Sequence, residues 1–340
     1  MRDFACPNCG QQLAFENSLC LGCGSNVGFD PARKEFVLVG TDQKVLGVGL
    51  ARTMCANLHR SACNWTVADS DGTTLCLSDR LTRTLPPTDD AAAMANYAEA
   101  EQAKRRLMVE LLELGLPIVG RDEDPETGLA FDLKSSRDEQ VLTGHDNGLI
   151  TLNLAEGDDV HREQLRISMG EPYRTVLGHF RHEIGHYFFV TLIGTGPLRA
   201  HFESLFGDPD SSYQDALDRH YADGAPTGWE RDYVSSYATM HPAEDWAESF
   251  AHYLHIRDTV DTAAAFGFAP AGVALDRNLP GEAGFDRLIQ LWLPLSWSLN
   301  MINRSMGHQD LYPFVLPPHV LTKMKLVHRA VESVGVPVPS

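Results

Sequence analysis

The five residues His182-Glu183-Ile184-Gly185-His186 carry chemistry that the rest of the chain has to position. Two histidines four apart share one face of an α-helix, so both imidazoles can reach a single tetrahedral cation. The glutamate beside the first histidine then faces the position that such a zinc site leaves to water, where it can act as a general base. A catalytic zinc takes three protein ligands, and this pattern supplies two. One common arrangement adds a third histidine six residues after the second, but position 192 is leucine. The other takes a glutamate from a later helix.

The segment from Ser236 to Phe250, S-Y-A-T-M-H-P-A-E-D-W-A-E-S-F, offers that glutamate. Pro242 suits a first helical turn, which sets Glu244 and Glu248 one turn apart on one face. Two such carboxylates repel when both are exposed. They make better sense if one of them ligates a cation and the other fixes the tautomer of a ligand histidine through its other nitrogen. An acidic, solvated helix start is the plain alternative. Asp245 and His252 are weaker ligand candidates. His179, His252 and His255 read as packed or hydrogen-bonded histidines, although His179, one turn before His182, is also a candidate for touching substrate. Glu163, Arg166 and Arg181 read as surface or salt-bridged residues, and Tyr312 is a candidate for lining a cleft.

All seven cysteines precede residue 77. Cys6-Pro7-Asn8-Cys9-Gly10 and Cys20-Leu21-Gly22-Cys23-Gly24 are two knuckles in which glycine permits the turn after each pair. Cys6, Cys9, Cys20 and Cys23 therefore read as a four-cysteine structural zinc ribbon within residues 1–30. Cys55, Cys63 and Cys76 form a second cluster within residues 55–79. Its fourth ligand is open between Asp79 and His59, as is the alternative of packed thiols without metal.

The charge is unevenly placed. Residues 1–85 carry eight basic and eight acidic side chains, so the net −18 lies wholly in the remainder. An acidic body, behind ribbons with no basic excess, argues against nucleic acid as a partner. No run of about 18 apolar residues is present to span a membrane. The start, MRDFACPNCG, lacks the apolar stretch of a secretory signal, and paired cysteines in such a chain suit metal ligation in a reducing cytoplasm.

These side chains need elements to hold them. Residues 91–114 are rich in helix formers with apolar positions at helical spacing. Strand-like pieces follow at Gly128–Leu133 and Gly148–Leu154, the second after the turn signal Asp146-Asn147-Gly148. A long helix is expected from about Pro172 through the histidine pair to about Leu192, with Val176, Leu177, Phe180, Ile184 and Phe188 as its buried stripe. Residues 194–228 read as loop with a short helix or two. Further helices are expected from Pro242, over Phe285–Met306 and over Pro318–Val334. A Pro- and Asp-rich linker, about Pro86 to Asp90, divides a zinc-ribbon region, residues 1–85, from a mostly helical domain, residues 91–340.

The segment around Glu244 resembles the third-ligand helix of gluzincins of the lethal-factor type. There a tyrosine stands seven residues before the ligand glutamate and a second acid four residues after it. The resemblance implies Glu244 as the third zinc ligand, Glu248 as the residue supporting a ligand histidine, and Tyr237 as the phenol that stabilises an oxyanion. The whole chain more closely resembles the bacterial family of zinc-binding metallopeptidases with an N-terminal zinc ribbon. The carrying motifs are C-P-N-C-G…C-L-G-C-G, C-A-N…C-N-W, L-T-R-T-L-P, A-K-R-R-L, E-P-Y-R-T-V-L-G-H-F-R-H-E-I-G-H-Y, H-P-A-E-D-W-A-E and Y-P-F-V-L-P-P. That family's pattern has cysteine where this chain has Asp79.

The fold implied is α+β and zincin-like, with one catalytic zinc and one or two structural zincs. The activity implied is hydrolysis of peptide bonds in a peptide or protein substrate, with His182, His186 and Glu244 on the metal, Glu183 as base and Tyr237 as donor. A different class also fits the ribbons: a non-catalytic module that recruits a protein partner, on a scaffold that has lost activity.

Overall fold

The computed structural model describes residues 2–47, 49, 51–137, 141–157, 175–268 and 281–334. The chain divides into two compact units: Met1–Glu110 with Ile118–Asp158, and Leu111–Pro117 with Asp159–Ser340. It mixes helix and sheet. Every strand among the described residues lies in the first unit, and the second is built from helices.

The first unit opens with three antiparallel pairs. Strands β1 (Phe4–Ala5) and β2 (Gln12–Leu13) pair, as do β3 (Asn26–Asp30) with β4 (Glu35–Val39) and β5 (Arg52–Met54) with β6 (Thr66–Ala68). Such short pairs bury little by themselves. Phe4, Phe15, Phe29, Phe36 and Trp65 supply the missing core: Phe4 meets Phe29 edge-on at 5.7 Å, and Phe29 meets Trp65 at 5.6 Å. Helix α1 (Leu77–Arg80) and strand β7 (Thr82–Thr84) follow, and helix α2 spans Ala91–Leu114. Asp90 begins α2 by accepting the Ala93 N–H at 3.0 Å.

Strands β8 (Ala130–Lys134), β9 (Gly144–Asp146) and β10 (Leu149–Asn153) join β7 in a four-stranded sheet of order β7-β8-β10-β9. β8 runs parallel to both β7 and β10, and the β9–β10 hairpin is antiparallel. Its turn is the expected one, with Asn147 and Gly148 at φ of 45° and 81°.

The second unit carries helices α3 (Val176–Phe188), α4 (Arg199–Phe206), α5 (Tyr213–Asp223), α6 (Pro242–Ala265), α7 (Gly281–Ser305) and α8 (Pro318–Val334). The expected start of α3 at Pro172 falls outside the described residues. Thr175 is extended and caps the helix by accepting the Gly178 N–H at 3.0 Å, so α3 begins at Val176. Its far end also differs from the expectation of α-helix to Leu192, because Phe189–Ile193 wind as a π-helix before Gly194.

α3 and α6 pack closely because Gly185 has no side chain. A Cβ there would lie 3.0 Å from Ala247 Cα and 3.2 Å from its carbonyl oxygen. Next to this contact the buried Trp246 donates its indole N–H to the Gly185 carbonyl at 2.9 Å, and Phe188 stacks on Phe250 at 5.5 Å. α8 is tied to α6 by the buried Lys323–Asp245 pair at 2.6 Å. Among the described residues no helix is long and apolar enough to cross a membrane.

Candidate metal centre on helices α3 and α6

The close approach of α3 and α6 brings the two sequence motifs together. His182 and His186 stand one turn apart on α3, and Glu244 stands in the first turn of α6. His182 Nε2 lies 3.0 Å from Glu244 Oε2, His186 Nε2 lies 3.4 Å from the same oxygen, and the two Nε2 atoms are 3.3 Å apart. Zinc–nitrogen and zinc–oxygen bonds of about 2.0–2.1 Å at tetrahedral angles require donors about 3.3–3.4 Å apart. The three donors therefore fit that ion.

The start of α6 is locally specified. Pro242 takes the first helical position, and His241 caps the helix by accepting the Ala243 N–H on Nδ1 at 3.1 Å. The other nitrogen of His241 lies 3.1 Å from both the hydroxyl and the carbonyl of Ser211, which ties the loop before α5 to this helix end.

Behind the donors, His182 Nδ1 is 2.7 Å from Glu248 Oε1, and the Ser235 hydroxyl donates to Glu248 Oε2 at 2.6 Å. Burial opposes a charge on His182, but Glu244 and Glu248 outweigh it and hold this imidazole well above the usual histidine range. Burial likewise opposes ionisation of Glu248, yet the imidazole beside it keeps that carboxyl down at about 2. Such a pocket favours positive charge. Glu183, buried on α3, is pushed up by that burial. The Tyr237 ring stands 5.9 Å from the His182 ring.

Other sequence candidates are placed away from the donors. Asp245 turns to Lys323, and His252 Nδ1 meets the Tyr312 hydroxyl at 2.8 Å. Tyr312 is itself buried. Arg181 is buried against Asp258 at 2.8 Å. Glu163 and Arg166 lie outside the described residues. Two residues near the site have no signal in the sequence motifs. Ser235 directly precedes the segment that carried Glu244, and Tyr213, from the loop-rich stretch, donates its phenol to Glu244 Oε1 at 3.0 Å.

The cysteines form two further groups. Cys6, Cys9, Cys20 and Cys23 converge, with Cys6–Cys23 and Cys9–Cys20 sulfur separations of 3.8 and 3.6 Å. Gly10 and Gly24 follow the two pairs at φ of 74° and 72°, as the knuckle turns require. Four thiolates at about 2.3 Å from zinc stand about 3.8 Å apart, so this set fits too. In the second group Cys63 and Cys76 sulfurs are 3.6 Å apart, and Asp79 Oδ2 lies 2.9 Å from Cys55 and 3.4 Å from Cys76. Asp79, not His59, is the fourth member.

Two helix-borne histidines and a glutamate beside a second glutamate are the donor set of zinc-dependent hydrolases. The chain belongs to the family described as "Putative zinc-binding metallo-peptidase", whose pattern matches residues 93–330, and residues 3–90 match a zinc-ribbon domain. Uncharacterized proteins of Mycobacterium bovis and Mycobacterium tuberculosis are similar to it, at 59% identity over 336 residues, which is 98% of this chain and 96% of each relative. No solved structure matches it.

Proposed function

We propose that this protein hydrolyses peptide bonds with one zinc ion held by His182, His186 and Glu244. The observation that supports this most directly is the convergence of those three donor atoms, 3.0–3.4 Å apart, from two separate helices. Zinc bound there would supply Lewis acidity, lowering the pKa of a water toward about 7 and polarising the scissile carbonyl.

The chain's own groups do the rest. The Glu183 carboxylate takes a proton from the attacking water and later delivers it to the leaving amine. The Tyr237 phenol donates a hydrogen bond to the carbonyl oxygen as negative charge develops there, a contribution worth about 100-fold or more for a preorganised donor. Glu248 accepts the Nδ1–H of His182, which turns the Nε2 lone pair toward the donors. We assign structural zinc to Cys6, Cys9, Cys20 and Cys23, and a second such ion to Cys55, Cys63, Cys76 and Asp79. Seven cysteines without a disulfide suit a reducing compartment such as the cytoplasm. We propose a protein partner as the second ligand class for the ribbon.

A broad peptide library tests the reading. Cleavage is expected with the zinc-loaded chain, lost on chelation, restored by Zn²⁺, and absent in Glu183→Gln with zinc still bound. A fully loaded chain that cleaves no peptide would turn the assignment toward a non-catalytic ribbon module. Cleavage that survives Glu183→Gln would remove that residue from the chemistry.

A further inference from the structure

We propose that Tyr213 is a positioning residue of the metal centre, restricting Glu244 to one ligating oxygen. This rests on the reading of Glu244 as a zinc ligand. The two carboxylate oxygens of Glu244 have different surroundings. Oε2 faces His182 Nε2 and His186 Nε2 at 3.0 and 3.4 Å, whereas Oε1 accepts the Tyr213 hydroxyl at 3.0 Å.

A carboxylate with both oxygens on the ion would occupy two coordination positions, including the one needed by water. The phenol holds Oε1 aside and leaves one donor.

Two features keep Tyr213 in place. It is the first residue of α5, whose cap Ser212 accepts the Asp215 N–H at 3.2 Å. Its ring lies 5.3 Å from the His241 ring, and His241 bonds Ser211 two residues earlier. Tyr213 therefore orients the third donor. Tyr213 as a residue is 44% exposed, so removing one hydroxyl should leave the packing of the unit intact.

The test uses the full chain and two readouts that need no substrate. Zinc affinity of the chelator-labile site is measured by competition with a chromophoric chelator. The same site is then loaded with Co²⁺ while zinc stays in the cysteine sites, with His186→Ala as the blank. Tyr213→Phe is expected to weaken zinc by about 10- to 100-fold, the usual effect of losing a partner of a metal ligand. Its cobalt d–d bands should lose intensity as the carboxylate spreads over two positions. Wild-type affinity and an unchanged cobalt spectrum in Tyr213→Phe, with Glu244→Gln strongly weakened, would overturn the role of Tyr213 alone. An unweakened Glu244→Gln would overturn the ligand assignment and this proposal with it.

Discussion

His182 and Glu248 are joined at 2.7 Å from Nδ1 to Oε1, across the contact between α3 and α6. Glu248 accepts the Nδ1–H, so the second proton of the charged imidazole sits on Nε2, the nitrogen that would give its lone pair to a cation shared with Glu244 and His186. Ser235 steadies the second oxygen of Glu248 at 2.6 Å. One carboxylate thus selects the tautomer of the first histidine and links it to the helix that bears the third donor.

Removing that partner should loosen the metal without removing a ligand. Glu248→Ala is expected to weaken zinc at the chelator-labile site by about 10- to 100-fold. Ser235→Ala, which leaves the His182–Glu248 contact in place, should have the smaller effect. Chelator competition measures both, and equal affinities for Glu248→Ala and the parent chain would refute the tautomer argument.

Gly185 sits inside the histidine pair for a packing reason. Alanine in a helix gains up to about 1 kcal/mol over glycine. Here its methyl would meet Ala247 Cα at 3.0 Å and Phe250 Cβ at 3.3 Å, and backbone cannot yield as a flexible side chain does. Overpacking of this kind costs about 1–3 kcal/mol. Gly185→Ala should therefore lower stability in denaturant melts by up to about 2 kcal/mol and weaken zinc as the two helices separate. A variant more stable than its parent would show that α3 and α6 do not pack this tightly.

Local signals in the chain announced much of this arrangement. Residues 91–114 read as helix because helix formers run unbroken after Asp90, and α2 has those bounds. Pro242 marked the start of α6, and Asn147-Gly148 marked the β9–β10 turn. His182 and His186 were legible because helical spacing converts sequence distance directly into geometry, whereas Glu244, on a separate helix, was singled out by the resemblance of its segment. What was hidden depends on long-range pairing. β7 has only Thr82–Thr84, and its partner β8 lies more than 40 residues on. Tyr213 reaches Glu244 from a separate helix across an irregular stretch, so no periodicity connects them. The π-turn after Phe188 keeps the same apolar composition as an α-helix, which pattern alone does not resolve.

Acid should destabilise the second unit through buried neutral imidazoles. Burial pushes His252 down to about 4, against an ordinary value near 6.5. Burial, with the Arg181 charge beside it, pushes His255 down to about 3. The unfolded chain then binds more protons than the folded one between about pH 6.5 and 4. Stability is full above pH 6.5 and falls as pH drops through that window, by up to about 1.4 kcal/mol per pH unit for each group. His252→Gln keeps an acceptor for the Tyr312 hydroxyl but cannot take the proton. Melts between pH 7 and 4.5 at equal zinc content should show a shallower slope for this variant, and identical slopes would exclude His252 as a source of acid sensitivity.

Asp79 stands where the resemblance implied a cysteine, and we read its surroundings as those of a ligand. Its Oδ2 faces the sulfurs of Cys55 and Cys76, its Oδ1 is buried without a hydrogen-bond partner, and burial raises the carboxyl to about 7. Lys104 and Arg105, both buried on α2, bring positive charge toward the cluster, partly offset by Glu101 at 2.8 Å from Lys104. A zinc ion with three thiolates and one carboxylate carries a net −2, which those cations would partly balance, whereas four protonated groups would leave them facing a neutral cluster. Metal analysis of the full chain should therefore give three zincs, falling by one in Asp79→Ala and restored in Asp79→Cys. Asparagine at this position offers a weaker, uncharged oxygen and should fall between the two in resistance to chelation. Three zincs retained in Asp79→Ala would remove Asp79 from the ligand set, and a parent chain with only two would mean that the three thiols and the acid are held by hydrogen bonds alone.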